Sequence, residues 1–139
     1  MNLAESETYT DWFLGINPRG LVPVLVWDGA VHIESNDILA LLDQAFPEPR
    51  LIPASRDAEI MALLQHEDDL HLDLRTLSFR FVLGRTKFNK TSKQLARYSA
   101  YPATVGGVPD RDKREKERVF YDRLAAEGLS DAAVRAAAA

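Results

Sequence analysis

Residues 17 to 43 collect the side-chain types that can recognise a small zwitterionic peptide. The run Asn17-Pro18-Arg19-Gly20-Leu21-Val22-Pro23-Val24-Leu25 leads into a hairpin signal, and Ile33-Glu34-Ser35-Asn36-Asp37-Ile38 and Leu42-Asp43 follow it. A proline at the mouth of an interior strand removes a ladder donor. A cis Val22-Pro23 bond would turn Val22 so that its N–H and C=O could pair with an extended ligand in the manner of an added strand. Glu34 and Ser35 fall where a strand becomes a helix N-terminus. Such a terminus offers N–H groups and the positive end of the helix dipole to a carboxylate; Ser35 adds a hydroxyl donor and Glu34 can accept from an ammonium. Each residue also has a purely structural reading: Ser35 as an N-cap, Glu34 as a dipole partner, Pro23 as a rigid turn. Their joint spacing favours a site for the α-amino-acid end of a small peptide.

Other chemistries find less support. His66, Glu67 and His71 superficially suggest a metalloprotease helix, but that motif needs its histidines four apart and these are five apart. At 100° per residue the two rings diverge by about 140°, so no shared metal is expected. Cysteine is absent, which removes disulfides, thiolate metal sites and a cysteine nucleophile. Neither a Gly-rich phosphate loop nor a Gly-x-Ser-x-Gly elbow occurs. Residues 1 to 70 carry 13 acids and 3 bases, residues 71 to 139 carry 8 acids and 14 bases, and the net charge is -4. The densest basic stretch, Arg75, Arg80, Arg85, Lys87, Lys90, Lys93 and Arg97, is interleaved with Phe79, Phe81 and Phe88, as on a nucleic-acid surface. The acidic balance of the whole chain and the missing RNA-binding signatures favour a solvated helix face plus a loop, and a nucleic-acid partner is not expected.

These residues must be positioned by local elements. Thr8 to Leu14, stopping at Gly15, reads as a short helix with Thr8 or Thr10 near its N-cap. Val22 to Trp27 and Ala30 to Ile33 flank Asp28-Gly29, a strong hairpin signal. Ile38, Leu39, Leu41, Leu42 and Phe46 predict a helix with Ser35 near its N-cap, ended by Pro47 and Pro49. Residues 47 to 53 form a stiff linker, so a boundary is placed near residue 54. Beyond it the periodicity is helical. Ser55 caps a long helix whose stripe Ile60, Leu63, Leu70, Leu74, Leu77 and Phe81 is expected to pack along its length, with Glu67 at the stripe's edge. Gly106-Gly107-Val108-Pro109 reads as a loop, Asp110 to Glu127 as a charged helix closed by Gly128, and Ser130 opens an alanine-rich helix. With 139 residues, 46% of them apolar, the chain is long enough for a real core. No run of about 18 apolar residues and no signal peptide occurs, so a cytoplasmic location is expected and the sequon at Asn89 carries no weight.

The run from Trp12-Phe13-Leu14 through Asn17 to Leu25, Glu34-Ser35, Leu42-Asp43, Phe46-Pro47 and Leu51-Ile52-Pro53 resembles the glutathione transferase superfamily, most closely its omega-type members. The resemblance implies an α/β plus all-α chain: a partial thioredoxin-like domain at residues 1–49 (helix, β-hairpin, helix) and a partial helical domain at residues 55–139 lacking its last helices. It further implies that the Val22 backbone before a cis Pro23 holds the cysteinyl part of glutathione, and that Glu34 and Ser35 hold its γ-glutamyl end. Leu21 matches the omega-type leucine, and Tyr9 stands near the place of a lysine that there contacts the glycine carboxylate. The strand and helix that carry the family's catalytic Tyr, Ser or Cys find no counterpart, so no catalytic residue is assigned and the chain reads as cut at both ends. The function implied is glutathione binding as co-substrate, with conjugation or thiol transfer to a small electrophile, in a homodimer. The alternative is a non-enzymatic interaction or scaffold module. The edge at Val24 to Trp27 and the stripe Leu63, Leu70, Leu74 and Leu77 are expected to drive self-association of the isolated chain.

Overall fold

The structure, a computed structural model, describes residues 1–83, 90–102, 104–105 and 108–139. The sequon at Asn89, the basic-stretch residues Arg85, Lys87 and Phe88, and Gly106-Gly107 lie outside the described residues. Contacts divide the chain into two units, one of residues 22–71 and the other of residues 1–21 with 72–139. This division falls at 21/22 and 71/72, away from the linker boundary expected near residue 54.

In the unit of residues 22–71, strands β1 (Val24–Trp27) and β2 (Ala30–Ile33) pair antiparallel, from Val24 opposite Ile33 to Trp27 opposite Ala30. Asp28 and Gly29 both have positive φ, 50° and 78°, as the tight hairpin turn that matches strand twist requires. Pairing begins at Val24 rather than at Val22, beyond the proline that has no N–H to offer. Helix α2 (Ser35–Ala45) follows, with Ile38 buried, and the Trp27 and Phe46 rings stack at 5.8 Å. Asp43 is buried in the last turn of α2. Its Oδ1 accepts from the backbone N–H groups of Leu51 and Ile52, and its Oδ2 faces the Arg50 guanidinium at 3.5 Å. A single carboxylate thereby ties the linker to α2. A 3-10 turn (Ala54–Arg56) leads into α3 (Asp57–Ser78), so Ser55 sits within that turn instead of capping the helix.

Helix α3 departs from its expected packing. Leu63, Leu70 and Leu74 are 59%, 36% and 45% exposed, and Phe81 in the π-helical turn that follows (Phe79–Leu83) is 70% exposed. Of the expected stripe only Ile60 and Leu77 are partly buried, while the buried positions are Thr76 and Phe79, with Leu72 and Arg75 partly buried on the same face. That face escapes a hydrophobicity pattern because it carries an arginine and a threonine. Thr76 returns its hydroxyl to the Leu72 carbonyl, and Arg75 pairs with buried Glu117 of a later helix.

In the unit of residues 1–21 and 72–139, a 3-10 turn (Glu7–Tyr9) precedes α1 (Asp11–Leu14), whose N-cap Thr10 accepts from Phe13 N–H as expected. Helix α4 (Ser92–Ala100) opens on a capping box in which the Thr91 and Gln94 side chains each serve the other's backbone. The Thr91-Ser92-Lys93-Gln94 spacing announces this element, although the sequence reading passed over it. Strands β3 (Thr104–Val105) and β4 (Val108–Pro109) form a short antiparallel pair. Helix α5 (Arg111–Glu127) ends at Gly128, with φ 65°, and α6 (Asp131–Ala137) is capped by Ser130. The core gathers Tyr9, Leu14, Phe79, Tyr98, Phe120, Tyr121, Leu124 and Leu129. Buried Arg114 of α5 donates to the carbonyls of Tyr98, Tyr101 and Pro102, satisfying the end of α4 where a cation also suits the helix dipole.

Candidate functional site

The hairpin register puts the candidate residues at one end of the ladder. Because Val24 pairs with Ile33, the two residues before β1 and the two after β2 lie at the same open end of the ladder. Val22, Pro23, Glu34 and Ser35 are those four residues. The Val22-Pro23 peptide bond is cis, as the strand-mouth proline led us to expect. Val22, Pro23 and Ser35 are exposed and Glu34 is partly buried.

Glu34, rather than Ser35, is the N-cap of α2, and it holds φ 70° and ψ 120°. Such a backbone costs a non-glycine residue of order 1–3 kcal/mol, and strain of this kind clusters where function fixes geometry. The first helical bond runs from Ile38 N–H to the Glu34 carbonyl. The N–H groups of Ser35, Asn36 and Asp37 therefore precede the helical ladder and point out of its positive end. An anion placed there would meet donors and a favourable dipole, with the Ser35 hydroxyl beside them.

This end of α2 is supported from behind. The Asn36 amide donates to the Leu64 carbonyl at 3.2 Å and reaches Glu67 Oε2 at 3.5 Å, so the first turn of α2 is fixed to α3. At the other end, Asp43 holds the linker. The sequence reading assigned no role to Asn36 and carried Asp43 only within a motif. One signal was available: an acid in the last turn of a helix is disfavoured by the dipole, so a buried one must be repaid by donors from elsewhere.

Tyr9 presents no side chain to solvent. It is 1% exposed, stacks on Tyr98 at 5.0 Å, and burial, with Glu117 adding to it, pushes its phenol far above the ordinary range. Its hydroxyl is buried without a hydrogen-bond partner among the described residues. His66 is exposed, while His71 places Nδ1 2.7 Å from the Asp68 carbonyl, and among the described residues no metal-binding cluster occurs.

Three arginines of the basic stretch are engaged internally. Arg75 pairs with Glu117, Arg80 donates to the Leu129 carbonyl and pairs with Asp131, and Arg97 donates to the Tyr9 carbonyl and pairs with Asp11. The expected solvated face is in this part a set of tertiary ties. Phe79 belongs to the core. No described helix is long and apolar enough to cross a membrane.

Comparison with known proteins converges on the same segment. Residues 2–45 match the family model of the glutathione S-transferase N-terminal domain. Protein LigF of Sphingobium sp. is 52% identical over 42 residues, covering 30% of this chain and 16% of that protein. The glutathione S-transferase DHAR2 of Arabidopsis thaliana is 48% identical over 40 residues, 29% of this chain and 19% of its own length. A zeta class glutathione S-transferase of Euphorbia esula is 43% identical over 54 residues, 39% and 24% respectively. These matches span a quarter or less of each relative. No solved structure matches the chain. The amino-terminal segment is thus glutathione transferase-like: helix, two-stranded antiparallel hairpin and helix, followed by a helical region.

Proposed function

We propose that this chain carries the glutathione-holding face of a glutathione transferase-type protein, most like omega-type members, that conjugates glutathione or transfers its thiol to small electrophiles. What supports the reading is the β1–β2 register, with Val22-Pro23 directly preceding Val24 and Glu34-Ser35 directly following its partner Ile33, inside the segment that matches the family model. In this reading the Val22 N–H and C=O pair with the cysteinyl part of glutathione as an added strand would. The γ-glutamyl carboxylate lies at the N-terminus of α2, taking the Ser35 hydroxyl and the free N–H groups, while Glu34 accepts from the ammonium. Residues 1–49 then correspond to part of the thioredoxin-like domain and residues 55–139 to part of the all-α domain. In conjugation the glutathione sulfur, its thiol proton released to solvent, forms a C–S bond to the carbon of a small electrophile as a leaving group departs from that carbon with its bonding pair. The setting is cytoplasmic and the assembly a homodimer, for which the exposed Leu63, Leu70 and Leu74 of α3 supply an apolar stripe.

No side chain of this chain is assigned to thiol activation. An unassisted thiol near pKa 8.5 is only a few per cent thiolate at neutral pH, so conjugation far below that of a fully equipped enzyme is expected. Glutathione is expected to bind weakly, because Val22, Glu34 and Ser35 supply only part of a site and ordering a flexible tripeptide costs free energy. Isothermal calorimetry tests the assignment. Ser35→Ala is expected to cost about 1–3 kcal/mol of the binding free energy, the usual penalty for leaving a charged partner unmet. Absence of binding by the parent chain, or an affinity indifferent to Ser35→Ala, overturns it.

A further inference from the structure

Within the unit of residues 1–21 and 72–139, an open groove of about 180 Å³ runs between α3 and α5, and none of its residues belongs to the glutathione face. Its floor is apolar. Phe120 is buried and braced by the rings of Phe79 and Tyr121, which meet it edge-on at 5.9 and 5.2 Å, and by the Arg75 guanidinium 5.4 Å from its centre. Thr76 is buried as well and gives its hydroxyl proton to the Leu72 carbonyl, so it keeps none for a ligand. Val119 lines the same groove and is 47% exposed. The rim is charged. Lys116 and Arg123 stand three residues before and four after Val119, which places all three on one face of α5. The two cations lie about 10 Å apart along the helix axis, a gap that two long side chains converging over Val119 close. Both are exposed, and neither makes an ion pair among the described residues, whereas Arg118 of the same helix is held by Glu115 and Asp122. Asp73 of α3 brings one acid to the groove.

We propose that this groove binds small monocarboxylates built on a single ring or a short chain. The carboxylate lies over Val119 between Lys116 and Arg123, where an ammonium and a planar guanidinium fork supply the donors that the floor lacks. The apolar body covers Leu72, Val119 and Phe120, removing from water the surface that the groove leaves open. The volume sets the size of the ligand. At well under the ~300 Å³ at which sites for drug-sized molecules begin, the groove takes one ring and not a fused ring system. The charges set its valence, because a second carboxylate at the far end of the body would face a floor without donors and the Asp73 carboxylate. Exposed ion pairs are individually weak, so affinity comes from the cations and the apolar wall acting together, with a dissociation constant on the order of 1 mM for a ligand of this size.

The inference does not rest on the glutathione reading, and its test needs no glutathione. The 15N-labelled full chain is titrated with phenylacetate, with its uncharged isostere phenylacetamide and with 1,4-phenylenediacetate, and amide shifts are followed by NMR. Phenylacetate is expected to shift the signals of Thr76, Val119 and Phe120 along one saturating curve. Phenylacetamide and 1,4-phenylenediacetate are each expected to bind at least ~5-fold more weakly. The double variant Lys116→Gln, Arg123→Gln changes only exposed side chains, so it should keep the parent's dispersed spectrum while losing at least ~5-fold in phenylacetate affinity. Shifts confined to the N-terminus of α2, no saturation by ~20 mM phenylacetate, equal affinity for either control compound, or a double variant that binds like the parent overturns the proposal.

Discussion

Asp43 provides a quantitative test of how the unit that carries the candidate site is held together. The residue is 3% exposed, and one oxygen, Oδ1, accepts from both Leu51 N–H and Ile52 N–H while Oδ2 faces Arg50. Asp43→Ala leaves two donors without an acceptor, and the one on Ile52 belongs to a residue that is itself only 9% exposed. A buried donor stripped of a charged acceptor costs about 1–3 kcal/mol, and the second, at the exposed Leu51, about 0.5–1.5 kcal/mol. Relief of an acid in the last turn of α2 returns about 0.3–1 kcal/mol. The net expectation is a loss of about 2–3 kcal/mol, read from urea unfolding followed by Trp27 fluorescence. Asp43→Asn separates the contributions, because an amide oxygen in place of Oδ1 keeps both bonds while its NH2 group now faces Arg50. A loss of about 1 kcal/mol is expected for it. Arg50 is largely exposed, so Arg50→Ala should change stability by less than about 0.5 kcal/mol. An Ala variant that loses less than about 1 kcal/mol, or an Asn variant as damaging as Ala, would show that Asp43 does not hold the linker through Oδ1.

Three further outcomes follow from the packing of the other unit and of α3. Glu117→Gln removes the partner of Arg75 inside the core and is expected to cost about 3–5 kcal/mol in chemical unfolding, whereas the paired Arg75→Met, Glu117→Leu variant should recover most of that loss; equal losses in both variants would refute the buried pair. Lys90 has its pKa lowered in the folded chain to about 8, so between about pH 8 and 10.4 the unfolded chain binds more protons at this site and folding stability should rise with pH. Above pH 10 the buried tyrosines reverse the slope, since burial pushes Tyr121 up to about 12 and Tyr9 and Tyr98 further, and Lys90→Met should flatten the rise below pH 10. Finally, the exposed stripe of α3 predicts concentration-dependent sedimentation that Leu70→Glu shifts toward monomer, and a parent chain that sediments as monomer at all concentrations would refute a role for the stripe in association.

The sequence alone determined the elements whose causes lie within a few residues. Asp28-Gly29 specifies a turn with two positive φ values, Thr10 and Ser130 cap their helices with their own hydroxyls, and Gly128 closes α5. From these the hairpin and its register are legible, because a two-residue turn fixes which residues face each other across the ladder. Only the tertiary structure decided what becomes of faces and charges. The leucines at 63, 70 and 74 look like a core stripe by period, yet α3 shelters Leu72, Thr76 and Phe79, because the elements it meets carry Glu117 to neutralise Arg75 and aromatic rings to receive Phe79. The run of arginines looks like a surface until Glu117, Asp131 and Asp11 are brought to it from 42, 51 and 86 positions away in the chain. Local geometry is written in neighbouring residues. Burial is a property of which distant groups arrive, and a cation or a tyrosine is placed inside or outside by partners that its own segment does not contain.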